Sequence, residues 1–376
     1  MATDNKNKVL NVPNKRNVPR LRFPDFVGEW NFKTLETLAP NISAGKDSAN
    51  EGNYKLYGST GVIGTTDKPS YNGAILLVAR VGANAGYLQY VNGEFGVTDN
   101  TLVVNASEDN MYIYYYLHYY NLNRLVFGSG QPLITGGMLK KISIGISKEE
   151  KEKSKIVKFL SSLDERITTQ NKIIEDLKKL KVAIIENVFE DKCCNYKIGD
   201  IIRQVSNRNK SNNVLNVLSV SNKLGFVEQS EQFEDRTVAS EDITKYKIVR
   251  TNDFAYNPAR INVGSIARLK QQHESGIVSP MYICFHTKKD VLPEYLEIFF
   301  HTQFFKHEMY KRLEGSVRLC LSYEGLTNIP IFIPGIPVQL EISKRIFVFE
   351  RKIATEECYL NALEQQKQYL LQQMFI

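Results

Sequence analysis

Residues 257–266 read NPARINVGSI. Asn257-Pro258 is a step at which backbone and amide oxygens could hold the amino group of an extruded base for methyl transfer. Other stretches offer other chemistry. FGSGQP at 127–132 has the glycines of a nucleotide-binding turn, and FEDK at 189–192 has adjacent acids of the kind a metal-dependent nuclease uses. Each also has a plainer reading. No G-x-x-x-x-G-K-[ST] loop is present, no further acid is spaced to share a metal with Glu190 and Asp191, and the five histidines form no Ser-His-Asp pattern. The five cysteines (Cys193, Cys194, Cys284, Cys320, Cys358) are odd in number and scattered, and Cys193-Cys194 lacks C-x-x-C spacing. That spacing argues against structural zinc and for reduced thiols in a cytoplasmic protein.

The elements that would position such residues follow from the whole chain. Its 376 residues are enough for about two or three domains. The first fifteen residues lack the apolar core of a secretory signal. GAILLVA (73–79) and the His-interrupted YIYYYLHYYNL (112–122) fall short of the roughly 20 apolar residues of a membrane span. Charge is informative through its location. Lys6, Lys8, Lys15, Arg16, Arg20 and Arg22 stand against Asp4 alone in residues 1–22, so +5 of the formal +7 lies there. The segment reads as a disordered, solvated basic leader, with a DNA-binding arm as the alternative, and the body argues for nucleic acid only weakly on electrostatic grounds.

The chain is written twice. GSGQPLITGGMLKKISIGI (128–146) aligns with GSVRLCLSYEGLTNIPIFI (315–333) at an offset of 187. GAILLVARVGANAG matches NDFAYNPARINVGS with Ala79-Arg80 on Ala259-Arg260, and GVTDNTLVV (96–104) matches GIVSPMYIC (276–284), both offset by 180. WNFKTLETL (30–38) resembles CNYKIGDII (194–202). Internal repetition of this kind marks duplicated architecture. Opposite Asn257-Pro258 the first copy carries Leu77-Val78, and Ala259-Arg260 follows where a methyl-transfer tetrad needs other residues. What the copies share is Ala-Arg and a glycine-containing loop, which points to a DNA-facing turn and away from an active site.

Apolar residues recur at spacings of three and four in two long stretches. The first has Leu160, Leu163, Ile167, Ile174, Leu177, Ile184 and Val188; the second has Ile346, Phe349, Ile353, Leu360, Leu363, Leu370 and Met374. Gln170 and Lys181 interrupt the first series, and Glu356 and Lys367, each 186 residues on, interrupt the second. Such a seam predicts helix packed on helix. No Pro or Gly lies between Ser147 and Asp191, so about 40 residues can form a helix about 60 Å long. Short β-like runs (Ile75–Val78, Leu102–Val104, Tyr282–Phe285) and aromatic helical stretches (Tyr112–Tyr120, Tyr295–Phe305) make up each globular part. The aromatics read as core.

With this layout the chain resembles the specificity subunits of type I restriction–modification systems. The likeness is carried by PRLRFPDFVGEW, NPARINVGSI, GIVSPMY and GSVRLCLSYEGLTNIPIFIP, the last leading into EISKRIFVFERKIATEECYLNALEQQKQYLLQQMF, and runs from residue 19 onward. The first copy departs locally, since TGGMLKKISIGIS lacks the prolines of LTNIPIFIP. The resemblance implies an α+β fold of two similar target recognition domains, each followed by a long helix, the helices pairing as an antiparallel coiled coil about a pseudo-twofold. The corresponding expectation is a leader at 1–22, recognition domains at 23–147 and 191–336, and helices at 148–190 and 337–376.

It further implies a non-catalytic, cytoplasmic subunit that reads double-stranded DNA, one half of a bipartite asymmetric site per domain, with the helices fixing the spacer. The implied partners are two modification subunits carrying S-adenosylmethionine and two restriction/translocase subunits using ATP and Mg, with no cofactor in this chain and no membrane. The paired loops then supply the candidate readers, because base edges are read by Arg, Lys, Asn, Gln and Ser. These are Arg80 with Arg260, Asn84 with Asn262 and Ser265, Gln131 with Arg318, and Tyr57, Ser59 and Thr60 with Ser221, Asn222 and Lys223, preceded by Lys46, Arg208 and Lys210. A solvated or turn-forming role is the plain alternative for each. A protein-binding scaffold without DNA specificity and a DNA-modifying enzyme are the rival readings of the whole.

Overall fold

The computed structural model describes residues 17–126, 131–190, 192–222, 224–228, 242–271, 273–316 and 318–376. Among these, the first half of the chain forms β1 (Asn31–Thr34), α1 (Leu35–Leu38), β2 (Ser43–Ala44), β3 (Tyr54–Gly58), β4 (Gly61–Thr66), β5 (Tyr71–Asn72), β6 (Ile75–Ala79), β7 (Leu88–Val91), β8 (Glu94–Val97) and β9 (Thr101–Val104), then α2 (Asn110–Tyr120), α3 (Gly136–Lys140), β10 (Ser143–Ile146) and α4 (Glu150–Phe189). The second half forms β11 (Tyr196–Lys197), α5 (Ile198–Ile201), β12 (Ile202–Val205), β13 (Val217–Ser221), β14 (Gly225–Glu228), β15 (Lys247–Val249), β16 (Phe254–Tyr256), β17 (Ile266–Arg268), β18 (Gly276–Val278) and β19 (Ile283–Thr287), then α6 (Pro293–Phe299), α7 (Gln303–Tyr310), α8 (Tyr323–Thr327), β20 (Pro330–Ile331) and α9 (Ile336–Met374).

The second series repeats the first. Sheets β2-β9-β6-β7, β4-β3-β8-β5 and β1-β10 return as β12-β19-β16-β17, β14-β13-β18-β15 and β11-β20. In both copies the one parallel pairing among the described strands, β3 with β8 and β13 with β18, sits in the outer sheet. The period of two explains why the central strands are apolar throughout. In β6, Leu76 and Val78 face a core under α2, while Ile75 and Leu77 face Val91, Phe95 and Val97 of the second layer. In β16, Phe254 and Tyr256 face the helical side and Ala255 the other.

The structure forms two compact units, the described part of Met1–Asn171 with Cys358–Ile376, and Lys172–Glu357. Each contains a stretch of α4 packed antiparallel on a stretch of α9. In the first unit Asp164 pairs with Lys367, and Arg166 donates to the Tyr359 hydroxyl. Leu160, Leu163, Leu370 and Met374 join Trp30 and Tyr112 in one core. In the second unit Lys178 pairs with Glu357 and Lys181 with Glu350. Along the seam as a whole, Ile174, Ile346 and Ile353 of the second unit and Leu363 of the first are buried, whereas Leu177, Val188 and Phe349 of the second and Ile167 and Leu360 of the first are half-buried. At the end of α4 the seam differs from expectation: Ile184 is half-buried, and Ile185, packed on Ile298 and Ile346, is the residue fully enclosed. The helix there packs on α6 as well as on α9, which rotates the buried stripe by one residue.

Two further expectations are corrected. The aromatic stretch 295–305 is not one helix. Thr302, fully buried, ends α6 by donating to the Phe299 carbonyl (2.8 Å) and caps α7 by accepting from the Phe305 N–H (3.0 Å). Of the leader expected to be disordered over 1–22, residues 1–16 lie outside the described residues, but 17–22 are tied down. Leu21 donates its N–H to the Gln373 carbonyl, and Arg22 forks onto Glu152 at 2.6 and 2.8 Å. No described helix is long and apolar enough to cross a membrane.

Candidate nucleic-acid interface

In the first unit the loop 97–101 is a hub. Its backbone receives the N–H of Asp47 (on Val97), gives the Thr98 N–H to Tyr57, and receives the Arg80 N–H on Asn100. Three separate segments are thereby fixed around it. The first carries Lys46 between Gly45 and Asp47. A Cβ on Gly45 would lie 2.1 Å from the Val97 carbonyl oxygen, so only glycine lets this segment close on the loop. The second is the β3–β4 hairpin, whose two-residue turn is Ser59-Thr60; the Gln89 amide on β7 donates to the Gly58 carbonyl at 2.9 Å and anchors it. The third is the β6–β7 connection from Arg80 to Tyr87, turned by Gly82 (φ 78°) and Gly86 (φ 92°). Residues 131–134 lie along it, with Ile134 N–H on the Arg80 carbonyl and Gly82 N–H on the Pro132 carbonyl. Lys46, Ser59, Thr60, Arg80, Asn84 and Gln131 are thus assembled at one edge of the sheets, exposed or half-buried.

The second unit builds the same edge from the equivalent pieces. Ser265, buried, donates its hydroxyl to the Val220 carbonyl (3.0 Å) and its N–H to the Arg260 carbonyl, so the β13–β14 hairpin with Ser221 and Asn222 meets the loop of Arg260 and Asn262. Lys223 lies outside the described residues. Leu321 N–H on the Pro258 carbonyl brings in the 314–320 loop that carries Arg318, and Tyr310 donates to the Asn262 carbonyl. Arg208 and Lys210 flank buried Asn209, whose amide closes a turn on Val214. Arg208, Lys210, Asn222, Arg260 and Arg318 are exposed.

Asn257 is buried. Its side-chain oxygen accepts the Ala259 N–H at 3.0 Å and its own N–H goes to the Ser265 carbonyl. The Asn-Pro step is an Asx turn that aims Arg260 outward, and its amide oxygen is engaged within the chain. Tyr57 also differs from a loop reader: it lies in β3 with its ring edge-on to Phe95 at 5.4 Å, supporting the layer beneath the hairpin.

Arg22, Lys153, Arg268 and Arg312 each hold a carboxylate. Among the described residues Lys46, Arg80, Arg208, Lys210, Arg260 and Arg318 hold none, which leaves their charge available to phosphates or base edges. Sequence reasoning passed over two groups that floor these loops. His118 lies beneath Asn84, Gly86 and Tyr87 at a cavity of about 320 Å³, and His301 beneath Ser221, Asn222 and Gly264 at one of about 280 Å³. The signal was present, since each histidine follows a core tyrosine (Tyr112, Tyr295) by six residues.

Residues 28–179 match the family model of the type I restriction modification DNA specificity domain. A curated relative, the type I restriction enzyme EcoprrI specificity subunit of Escherichia coli, is 24% identical over 136 residues, covering 36% of this chain and 33% of that protein. The match therefore spans about a third of the relative's length. Among solved structures, the S subunit of a type I restriction-modification system from M. genitalium superposes with a TM-score of 0.60 at 17% identity, over 96% of this chain and 99% of that one. A chain from a structural study of complex assembly and conformational transition of the type I R-M system gives 0.55 at 12% identity, over 91% and 96%. At these identities the structural likeness is one of fold.

Proposed function

We propose, from the premise that residues 28–179 are a type I restriction modification DNA specificity domain, that this chain is the DNA-recognition subunit of a methylating and restricting complex. Each unit reads one half of a bipartite, asymmetric site in double-stranded DNA, and the paired helices set the unspecified spacer. One observation carries the reading. Two units of the same topology each gather basic and polar side chains from separate segments onto one edge, Lys46, Ser59, Thr60, Arg80, Asn84 and Gln131 in the first and Ser221, Asn222, Arg260, Asn262 and Arg318 in the second, and among the described residues the cations there hold no carboxylate. Such an edge offers direct readout by bidentate side chains together with phosphate contacts. The body outside the leader is nearly neutral, so binding by this chain alone is weak and falls with salt, and tight binding needs partners around the duplex.

Those partners are two modification subunits, which supply S-adenosylmethionine and transfer the methyl group to adenine, and two restriction/translocase subunits, which use ATP and Mg. This chain contributes recognition and docking surface, and the chemistry belongs to the partners. The test is the adenine-methylation pattern of a host expressing this chain with a type I modification subunit, against a host without the chain. A new motif of two short defined halves and a fixed gap is expected. An assembled complex that yields no new motif would move the chain to a scaffold role.

A further inference from the structure

The seam between α4 and α9 is interrupted at two places related by the internal repeat. Asp164 and Glu350 are 186 residues apart, and so are Lys181 and Lys367. In the first unit Lys367 Nζ on α9 lies 2.5 Å from Asp164 on α4. In the second unit the roles are exchanged: Lys181 Nζ on α4 lies 2.8 Å from Glu350 on α9. Each pair neighbours a histidine of the recognition layer, half-buried His118 among α2's core tyrosines and the more exposed His301 after α6. His118 is held down to about 4 by burial and then by the charge of Lys367; burial and then Lys181 lower His301 in the same way. The His118 imidazole is therefore neutral at pH 7.

Each histidine also touches the other side. His118 floors the cavity under the Arg80–Tyr87 connection, and His301 floors the one under the β13–β14 hairpin. In the first unit Asp164 further accepts the Tyr115 hydroxyl at 2.9 Å, Lys367 lies 5.7 Å from the Tyr115 ring, and His118 packs on Tyr114 with its Nε2 atom enclosed and without a hydrogen-bond partner among the described residues. In the second unit Lys270 reaches both Glu297 (3.5 Å) and Glu350 (3.9 Å), while Arg268 holds Glu294 and Glu297. An apolar pair at either break would pack without desolvating charge. Polar breaks in a helix seam are costly, and their best-attested use is to fix register.

We propose that these two carboxylate–lysine–histidine clusters are positioning devices, one per unit, that key the recognition loops to the helix pair and so hold each reading edge at the angle that sets the spacer. This rests on the bipartite-site reading above. His118, His301, Lys181 and Lys367 are positioning residues and touch no base.

The experiment is the methylation pattern of the complex formed by the full chain with modification subunits, for Lys367→Met, Lys181→Met and the conservative Lys367→Arg. In the methionine variants both half-sites keep their letters, while sites with a gap one base shorter or longer become methylated, reducing spacer preference about tenfold. Lys367→Arg keeps the pair and the native spacing. Unchanged spacing in an assembled, active Lys367→Met complex overturns the proposal, and so does a change in the letters of a half-site. Where Lys367→Met fails to assemble, His118→Gln leaves the ion pair intact and is expected to broaden the spacing; native spacing there also overturns the proposal. A wild-type complex without any two-part motif removes the function reading itself, which is a separate result.

Discussion

The two units share one topology but fasten it with different chemistry. Near the start of α4, buried Lys153 holds Asp109, just ahead of α2, at 2.6 Å. The residue 186 positions on is Gln339, fully buried and neutral. Its amide accepts the Leu292 N–H at 2.8 Å and donates to the Asp290 and Pro334 carbonyls at 3.1 and 2.8 Å, just ahead of α6. The same joint is an ion pair in one copy and an amide clip in the other. Trp30 gives a second contrast. It is buried between Tyr112 and Phe375 and donates to Glu152, whereas its counterpart in the repeat, Cys194, is exposed. Topology follows from the period-two strands and the helix seam. The ties are interchangeable provided every buried polar group finds a partner.

The largest expected effect tests the Trp30 contrast. Trp30→Ala empties a core position and loses the indole hydrogen bond, which costs about 3–5 kcal/mol. Cys194→Ala stays within about 0.5 kcal/mol. Hydrogen exchange of the two variants checks both figures: protection falls in β1, α2 and the end of α9 for Trp30→Ala and in neither unit for Cys194→Ala. Equal loss in both would mean that the repeat is symmetric in energy as well as in topology.

Acid sharpens the difference further. Burial would raise the Glu152 carboxyl, but hydrogen bonds from Arg22, Ser147 and Trp30 outweigh it and hold the group below the usual carboxylate range. A lowered folded pKa gives stability that is present above the unfolded value and is lost as pH falls through the folded one. The first unit therefore loosens as pH drops below about 4.5. Glu152→Gln is expected to flatten that slope, and its cost at pH 7 is about 1.5–3 kcal/mol for each charged hydrogen bond lost. Unfolding followed against pH in wild type and variant decides it; an unchanged slope in Glu152→Gln would place the acid sensitivity elsewhere.

In the second unit Gln339→Leu strands three part-buried backbone groups, costing about 1–3 kcal/mol with little dependence on salt. Lys153→Met in the first unit removes an ion pair, so its cost is expected to shrink as salt rises. Thermal unfolding of each variant at low and high salt checks the pair. Reading is also separable by unit. Arg260→Ala is expected to relax one position in one half-site by about 1–3 kcal/mol, and Arg80→Ala one position in the other. If either variant alters both halves in the methylation pattern, the division of labour fails.

Much of this molecule was legible in the sequence. The duplication, both long helices to within two or three residues, and the strands at 75–79 and 101–104 follow from repeats and periodicity alone. What was not legible depends on contacts distant in sequence. Ile185 in place of Ile184 reflects a third helix packing on the seam, and the break at Thr302 is a single side chain choosing a cap. The candidate readers came from matching loops. Their convergence depends on backbone bonds to Val97 and Asn100 in one unit and to Val220 and Pro258 in the other, which no spacing rule reveals. The breaks at Lys181 and Lys367 were visible in sequence, but their partners Asp164 and Glu350 become apparent only once the helices are antiparallel.

The smallest expected effect separates packing from reading within one hairpin. Tyr57 belongs to the turn by sequence, yet its ring stacks edge-on to Phe95 and its hydroxyl has no partner among the described residues. Tyr57→Phe keeps the ring, so stability is expected to move by less than about 0.5 kcal/mol. The methylated motif should not change. Replacing Ser59 and Thr60 with alanine leaves the ring layer intact and removes the exposed hydroxyls, so an altered letter is expected in the first unit's half-site alone. A motif altered by Tyr57→Phe would show that the hydroxyl reaches DNA, and would shift the reading edge one residue deeper into β3.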